Sequence, residues 1–176
     1  MASDTLRVFI SYARKDAQAF AEELVAGLEL TGFEAFLDKH DIAGGEDWEA
    51  RLGGLIESAD TVVFVLTPAS VDSPRCQWEV ERALGLSKRI IPVVLIPIEE
   101  AQTPAPLKRL NYIFFTPDKS FSRSLAELST ALRVDLGWIR EHTRLGEHAR
   151  RWHEKGRSDV SLLRGGELHA AQAWMA

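Results

Sequence analysis

Along the first 135 residues, short apolar runs alternate with longer amphipathic stretches. The apolar runs predict five β-strands, over residues 6–11, 33–37, 61–66, 90–95 and 112–115. The third and fourth runs are almost purely apolar, which is typical of strands that are covered on both faces. Strands that alternate with helices are typical of an α/β fold, in which helices cover both faces of a parallel sheet. The most common small arrangement is a doubly wound sheet of order 2-1-3-4-5, although the alternation alone does not fix that order.

Local signals mark the ends of several helices. Asp16 is the predicted N-cap of the first helix, which Gly32 ends. Ser73 is the predicted N-cap of the helix after the third strand, and Pro74 is its predicted first residue. Glu79 then falls about one and a half turns inside this helix. The helix that carries Glu79 therefore begins directly after the loop that follows the third strand.

The segment between the second strand and the next helix is too polar to form regular structure. It contains Gly44 and Gly45 side by side together with several acidic residues, and a predicted helix follows near residues 48–57. We therefore expect a long, mobile loop between the second strand and this helix.

Residues 136–176 follow a different pattern from the rest of the chain. They carry seven basic and five acidic side chains and four of the five histidines. Their apolar residues recur at helical spacing and predict one amphipathic helix, and a second helix follows the pair Gly165 and Gly166. We expect a domain over residues 5–135 and a helical extension over residues 136–176 that leads to a further domain.

The composition narrows the possible functions. The net charge is −5, from 21 Lys and Arg against 26 Asp and Glu, so we expect no direct nucleic-acid binding. Cys76 is the only cysteine, which excludes an intramolecular disulfide and favours a reducing compartment. No apolar run approaches the roughly 20 residues that span a bilayer, and the N-terminus lacks the pattern of a signal peptide. We therefore expect a cytoplasmic protein that does not contact a membrane.

Other candidate chemistry is weak. His142, His148 and His153 are separated by six and five residues, and neither spacing places two ligands on one helical face. Cys76 has no histidine near it in the sequence to activate a nucleophile. Neither of the glycine-rich phosphate-binding motifs, G-x-G-x-x-G and G-x-x-x-x-G-K-[ST], occurs. We therefore expect no metal site and no bound cofactor.

A doubly wound sheet places its ligands at the carboxyl ends of the strands on either side of the switch point. In the order 2-1-3-4-5 these are the first and third strands. Ser11, Tyr12 and Arg14 follow the first strand, and the loop of residues 67–73 leads from the third strand to Glu79. The sequence thus predicts that these residues meet at one crevice.

Four segments resemble the Toll/interleukin-1 receptor (TIR) domain family, and among its members the bacterial type. The resemblance covers about residues 5–135, and the four blocks occur in the family's order. They are RVFISYARKD at 7–16, FLDKHDIAGGEDW at 36–48, ADTVVFVLTPASVDSPRCQWEVERAL at 59–84 and RIIPVVL at 89–95.

The resemblance implies a flavodoxin-like fold and one of two activities. Some TIR domains are adaptors that signal by assembling with other TIR domains, and others cleave NAD+ to nicotinamide and ADP-ribose or its cyclic form. The family's catalytic glutamate lies on the third helix and corresponds to Glu79, three residues after Cys76. NAD+ would then be a substrate and not a cofactor. The alternative reading of Glu79, from its charged neighbours alone, is a solvated surface residue.

The resemblance also implies a set of residues around the substrate. The loop from Asp38 to Trp48 would gate the pocket and contact a neighbouring TIR domain. Arg75 stands where many active relatives carry an aromatic residue, so it either faces the substrate pyrophosphate or lies on the surface. Phe9 could equally be a core aromatic, and Asp38 a turn former. The candidate substrate-binding residues are Phe9, Ser11, Tyr12, Arg14, Asp38, Gly44, Gly45, Trp48, Arg75 and Cys76.

The sequence therefore leads to three hypotheses. The first is an NAD+ glycohydrolase that uses Glu79, is activated by self-association and acts in bacterial anti-phage immunity. The second is a non-enzymatic TIR scaffold that recruits other TIR domains. The third is a sensor that holds a ligand similar to ADP-ribose without turnover. An enzyme requires the Glu79 carboxylate, whereas a scaffold should tolerate glutamine at this position.

Overall fold

The computed structural model describes residues 5–38 and 47–175. Five parallel strands form one sheet of order β2-β1-β3-β4-β5, which confirms the predicted fold class and strand order. Each strand lies within one of the predicted apolar runs or begins one residue before it. The strands are β1 (Arg7–Ser11), β2 (Glu34–Phe36), β3 (Thr61–Leu66), β4 (Arg89–Val94) and β5 (Ile113–Phe114).

Helices connect the strands and continue beyond β5. They are α1 (Arg14–Leu30), α2 (Trp48–Ser58), α3 (Pro68–Asp72), α4 (Pro74–Gly85), α5 (Phe121–Arg133), α6 (Leu136–Glu154) and α7 (Gly165–Met175). Short 3-10 turns lie at Glu100–Gln102, Ala105–Leu107 and Asp159–Ser161. None of the helices within the described residues is both long enough and apolar enough to cross a membrane.

The sheet separates two hydrophobic clusters. On one face, α1 and α5 pack on the sheet, and Leu24 and Leu128 are fully buried. On the other face, α2 and α4 do the same, with Leu52 and Ile56 fully buried. Burying each such side chain stabilises the fold by roughly 1.5–3 kcal/mol. All six residues of β3 are buried because this strand lies at the centre of the sheet, between the two clusters.

The predicted helix signals are confirmed in two of three places. Ser73 is the N-cap of α4, where its hydroxyl accepts a hydrogen bond from the Cys76 backbone N–H at 3.3 Å, and Pro74 is the first helical residue. Gly32 follows α1 with a φ of +91°, a left-handed conformation that favours glycine.

The prediction that Asp16 caps α1 is wrong. α1 begins earlier, with Ala13 at the N-cap position, and Asp16 lies in its first turn. The Asp16 carboxylate instead accepts hydrogen bonds from the Thr67 hydroxyl at 2.8 Å and from the Ala69 backbone N–H at 3.0 Å. Asp16 therefore joins the start of α1 to the connection that follows β3.

The C-terminal extension forms two helices, as the sequence predicts, but α7 begins at Gly165 and so includes the two glycines that were expected to precede it. α6 packs against α2, and Arg150 of α6 forms an ion pair with Glu57 of α2 at 3.1 Å. α7 returns onto α6, where the Trp174 indole donates a hydrogen bond to the Trp138 carbonyl oxygen at 3.2 Å. The extension therefore lies on the same side of the molecule as α2.

Candidate functional site

A cavity of about 600 Å³ opens at the edge of the sheet where β1 and β3 end. Its walls come from the end of β1 and the start of α1, from Asp38, from the connection after β3 and from the first turns of α4. The chain leaves β1 toward one face of the sheet and leaves β3 toward the other, so the cavity lies at the switch point.

Glu79 is the most deeply buried carboxylate among the described residues that line this cavity. Its residue is only 4% exposed, and the hydroxyl of Ser11, at the end of β1, donates a hydrogen bond to its Oε2. Burial raises the pKa of Glu79 to about 7; the Ser11 hydrogen bond and the positive charge of Arg75 act to lower it, and the charge of Asp38 adds to the rise. Glu79 therefore changes its charge close to neutral pH.

The amphipathic pattern of α4 explains why a glutamate is buried. The buried residues Cys76, Val80 and Ala83 form one stripe along the helix, and Glu79 lies within it at the end nearest the cavity. Glu81, two residues further on, is exposed. The reading of Glu79 as a solvated surface residue is therefore wrong.

Asp38 holds several groups together beside Glu79. It is 7% exposed, and its carboxylate forms ion pairs with Arg51 of α2 at 2.9 Å and with Arg75 of α4 at 3.9 Å. The Tyr12 hydroxyl donates a hydrogen bond to the Asp38 backbone carbonyl at 3.3 Å. Asp38 thus connects the end of β2 with β1, α2 and α4, which is a larger role than that of a turn former.

Two tryptophans support Arg75. The Arg75 guanidinium lies 5.7 Å from the centre of the Trp48 ring, and the Trp48 ring packs edge-on against Trp78 at 5.3 Å. A cation above an aromatic face is attracted by its quadrupole. Arg75 is therefore held at the cavity wall between an aromatic ring and the Asp38 carboxylate.

The structure brings most of the candidate residues to this one place. Gly44 and Gly45 lie outside the described residues. Ser11 lies beneath Glu79, and Trp48 lies behind Arg75. The candidates that line the cavity itself are Phe9, Tyr12, Arg14, Asp38, Arg75, Cys76 and Glu79.

Phe9 has both of the roles that the sequence left open. It is 1% exposed, belongs to the hydrophobic cluster beneath α4, and packs against the Phe36 ring at 5.7 Å. It also forms part of the cavity wall. The same side chain therefore completes the core and the floor of the site.

Sequence reasoning missed Arg51 and misassigned Asp16. The Asp38–Arg51 ion pair joins the two sides of a polar segment, and no local pattern indicates such a pairing. Asp16 is a strong helix-cap residue at a helix start, and its true partners, Thr67 and Ala69, are more than 50 positions away along the chain.

Cys76 lines the cavity as a neutral thiol. Burial, followed by the nearby charge of Glu79, raises the pKa of Cys76 to about 11. A thiol is a strong nucleophile only as the thiolate, so this environment does not activate it. Cys76 is therefore a small, neutral wall residue of the cavity, and the sequence-based expectation that it is not an activated nucleophile agrees with this environment.

A family model described as TIR domain matches residues 8–129. The match covers more than half of the chain, all five strands except the first residue of β1, and every candidate site residue. The chain therefore belongs to the TIR domain family.

Two relatives are named as NAD(+) hydrolases. The chain is 30% identical over 123 residues to NAD(+) hydrolase tir-1 of Caenorhabditis elegans, which covers 63% of this chain and 12% of that protein. It is 33% identical over 98 residues to NAD(+) hydrolase sarm1 of Drosophila melanogaster, which covers 51% of this chain and 7% of that protein. The chain thus corresponds to a small part of each relative.

Among solved structures, the chain is similar to the TIR domain of the Toll-related receptor TRR-2 from Hydra magnipapillata. The TM-score is 0.59 and the sequence identity is 26%, and the similarity covers 72% of this chain and 97% of that one. This comparison agrees with the flavodoxin-like arrangement described above.

Proposed function

We propose that the protein is an NAD+ glycohydrolase, which cleaves the bond between nicotinamide and ribose to give nicotinamide and ADP-ribose or its cyclic form. One observation carries the proposal: a carboxylate, Glu79, lies buried at a cavity whose walls also hold cationic side chains. The names of the two NAD(+) hydrolase relatives support it.

The proposed reaction needs one carboxylate and no general acid. The nicotinamide ring is cationic in NAD+, so it leaves with the bonding electron pair as a neutral pyridine and accepts no proton. Positive charge then develops on the ribose, as in glycoside hydrolysis. Water attacks the ribose carbon and loses a proton to give ADP-ribose, whereas attack by the adenine of the same molecule gives the cyclic product.

The Glu79 carboxylate would stabilise that developing charge. A negative charge ~4 Å from it contributes ~4 kcal/mol at an effective dielectric constant of ~20. The nicotinamide ring of NAD+ is already positive, so only the attraction gained as the charge moves to the ribose lowers the barrier. A gain of the full ~4 kcal/mol would correspond to about a thousandfold increase in rate. The stabilisation requires the ionised form of Glu79. The positive charge of a bound nicotinamide ring would favour that form, because an opposite charge nearby lowers the pKa of a carboxyl group.

The remaining wall residues would bind the rest of the dinucleotide. Arg14 and Arg75 line the cavity and can donate charge-assisted hydrogen bonds to the pyrophosphate. Phe9 and Tyr12 offer aromatic surface to a ring or to the ribose. Trp48 would act indirectly, by holding Arg75.

The proposal is tested by NAD+ consumption, with the products separated by chromatography. We compare the wild type with Glu79→Gln and with Glu81→Gln, an exposed glutamate on the same helix as the matched control. We expect the Glu79 variant to lose at least ~100-fold in rate and the Glu81 variant to keep wild-type activity. If the wild type and both variants are self-associated and equally inactive, the enzyme hypothesis is rejected, and the scaffold and ligand-sensor hypotheses are left.

We further propose that self-association activates the enzyme in the cytoplasm. Leu30 is 89% exposed and Phe114 is 45% exposed on the described surface, and polar substitutions at these two positions test whether either takes part in the contact. A single cysteine, buried and neutral, agrees with a reducing compartment. Specific activity that rises with protein concentration is the expected result.

The biological setting proposed here is anti-phage defence by a multidomain bacterial protein. In this proposal residues 5–135 are the TIR effector domain, and residues 136–176 connect it to a sensor or repeat domain. The exposed apolar residues Val160, Leu168 and Met175 support a role of the extension in contacts. Infected cells that express the wild type should lose NAD+, and cells that express Glu79→Gln should not.

A further inference from the structure

The serine beneath the cavity has a contact that sets it apart from the other candidate residues. Ser11 is 1% exposed and is not part of the cavity wall, yet its hydroxyl donates a hydrogen bond to Oε2 of Glu79. We infer that Ser11 is a positioning residue, whose hydroxyl holds the Glu79 carboxylate so that its other oxygen, Oε1, faces the substrate ribose. This inference rests on the proposed function of Glu79.

The position of Ser11 in the sheet makes it a rigid support. It is the last residue of β1, which lies between β2 and β3, and its backbone pairs with Phe64 of β3. Side chains alternate along a strand, so Ser11 points to the same face as Phe9, toward α4. A donor fixed on an inner strand changes its position less than one on a loop, and this keeps the carboxylate orientation constant.

The same hydrogen bond also supports the charge that the reaction needs. Burial disfavours the ionised form of Glu79 and raises its pKa. Among the groups that lower this pKa, the Ser11 hydroxyl has the largest effect. Among the described residues, the other titratable groups that face Glu79 are Arg75 and Cys76 of α4 and Asp38 after β2. Of these, only the Arg75 charge works with Ser11, since Asp38 is negative and the Cys76 thiol is neutral.

A positioning role and a substrate contact predict different kinetics. If Ser11 contacted NAD+, its removal would mainly raise KM. If Ser11 holds Glu79, its removal lowers kcat, leaves KM nearly unchanged, and moves the acid limb of the pH profile upward because Glu79 ionises less readily.

The test compares Ser11→Ala and Ser11→Thr with the wild type for kcat and KM between pH 5 and pH 9, a range of about two units on each side of the Glu79 pKa. We expect Ser11→Ala to lose ~10-fold in kcat at neutral pH, with KM within ~2-fold of the wild type. Threonine keeps the hydroxyl, so Ser11→Thr should recover most of that loss. Ser124→Ala is the matched control, because this serine is also buried but lies in α5, outside the cavity wall.

A second measurement does not depend on activity. The side-chain carboxyl of Glu79 can be titrated by ¹³C NMR in the wild type and in Ser11→Ala, with Glu79→Gln used to assign the resonance. We expect the Glu79 titration to move to higher pH in Ser11→Ala and to stay in place in Ser124→Ala. An unchanged titration, or a raised KM with an unchanged kcat, would overturn the inference. If the wild type consumes no NAD+, the proposed function fails, and the titration still decides whether Ser11 holds Glu79.

Discussion

Two charged side chains at opposite ends of the sheet show how differently a charge can be accommodated. Arg89, at the start of β4, donates hydrogen bonds to the Thr61 hydroxyl and to three backbone carbonyls at the end of α5. Glu79, at the carboxyl ends of β1 and β3, accepts a hydrogen bond from Ser11 and is 4% exposed.

The difference separates a structural charge from a functional one. The Arg89 guanidinium donates to carbonyls at the end of α5, and these hydrogen bonds stabilise the helix end even though burial lowers the pKa of Arg89. Glu79 has a pKa raised to about 7 by burial, so its charge destabilises the folded protein at neutral pH. The neighbours of Glu79 balance its negative charge only in part. Beside an open cavity, such a carboxylate can form an ion pair with a positively charged ligand.

The largest expected effect is on stability, at Arg89. Replacing Arg89 with leucine removes the donors from the carbonyls of Ala131, Leu132 and Val134. We expect the free energy of unfolding, measured with chemical denaturant, to fall by about 3–4 kcal/mol. Arg89→Lys keeps one charged donor and should recover part of the loss. A fall of less than about 1 kcal/mol in Arg89→Leu would contradict the structural role of this charge.

The second expected effect is a gain in stability, on replacing Glu79, and its size depends on pH. Burial raises the pKa of Glu79 to about 7 in the folded protein, from an ordinary value of 4.5. Below pH 4.5 the carboxyl is neutral in both states and burial carries no charge penalty, whereas above pH 7 the full penalty applies. Glu79→Gln should therefore gain stability relative to the wild type as the pH rises from 4.5 to 7, up to about 3 kcal/mol.

The control for this prediction is Glu81→Gln. Glu81 is exposed on the same helix, so its substitution should leave the pH dependence of unfolding unchanged. A constant difference between Glu79→Gln and the wild type from pH 4 to pH 9 would show that Glu79 is not held in a desolvated site.

Features of the fold that depend on local sequence signals are predictable, whereas features that depend on contacts between distant segments are not. The five strands are predictable because a parallel sheet covered on both faces produces continuous apolar runs, as in β3 and β4. The start of α4 is predictable because Ser73 and Pro74 are local signals. The sequence predicts a loop over residues 67–73, and this is wrong: the short helix α3 forms there, with Thr67 and Ser70 in a capping box.

The candidate site is predictable in its residues but not in its contacts. The family resemblance indicates Glu79 and its neighbours, and the sheet order brings the ends of β1 and β3 together. The burial of Glu79 and the ion pairs of Asp38 depend on how α2 and α4 pack on the sheet, which no local pattern encodes. Asp16 shows the same limit, because its partners lie on another connection.

The smallest expected effect concerns the groups that adjust the charge of Glu79. The positive charge of Arg75 lowers the pKa of Glu79 and the negative charge of Asp38 raises it. Arg75→Gln should therefore move the acid limb of kcat/KM to higher pH, and Asp38→Asn should move it to lower pH. At neutral pH we expect the ionised fraction of Glu79 to be a few-fold lower in Arg75→Gln than in the wild type. Any loss of substrate binding would add to this effect.

The decisive feature of these two variants is that their acid limbs are expected to move in opposite directions. Both substitutions break the Asp38–Arg75 ion pair, which spans 3.9 Å, so a purely structural loss would affect them alike. A charge effect on Glu79 must instead separate them, because one substitution removes a positive charge and the other a negative charge. Acid limbs that move in the same direction in both variants would show that the ion pair acts through geometry. Limbs that move apart would show that these two charges set the pH at which the buried carboxylate ionises.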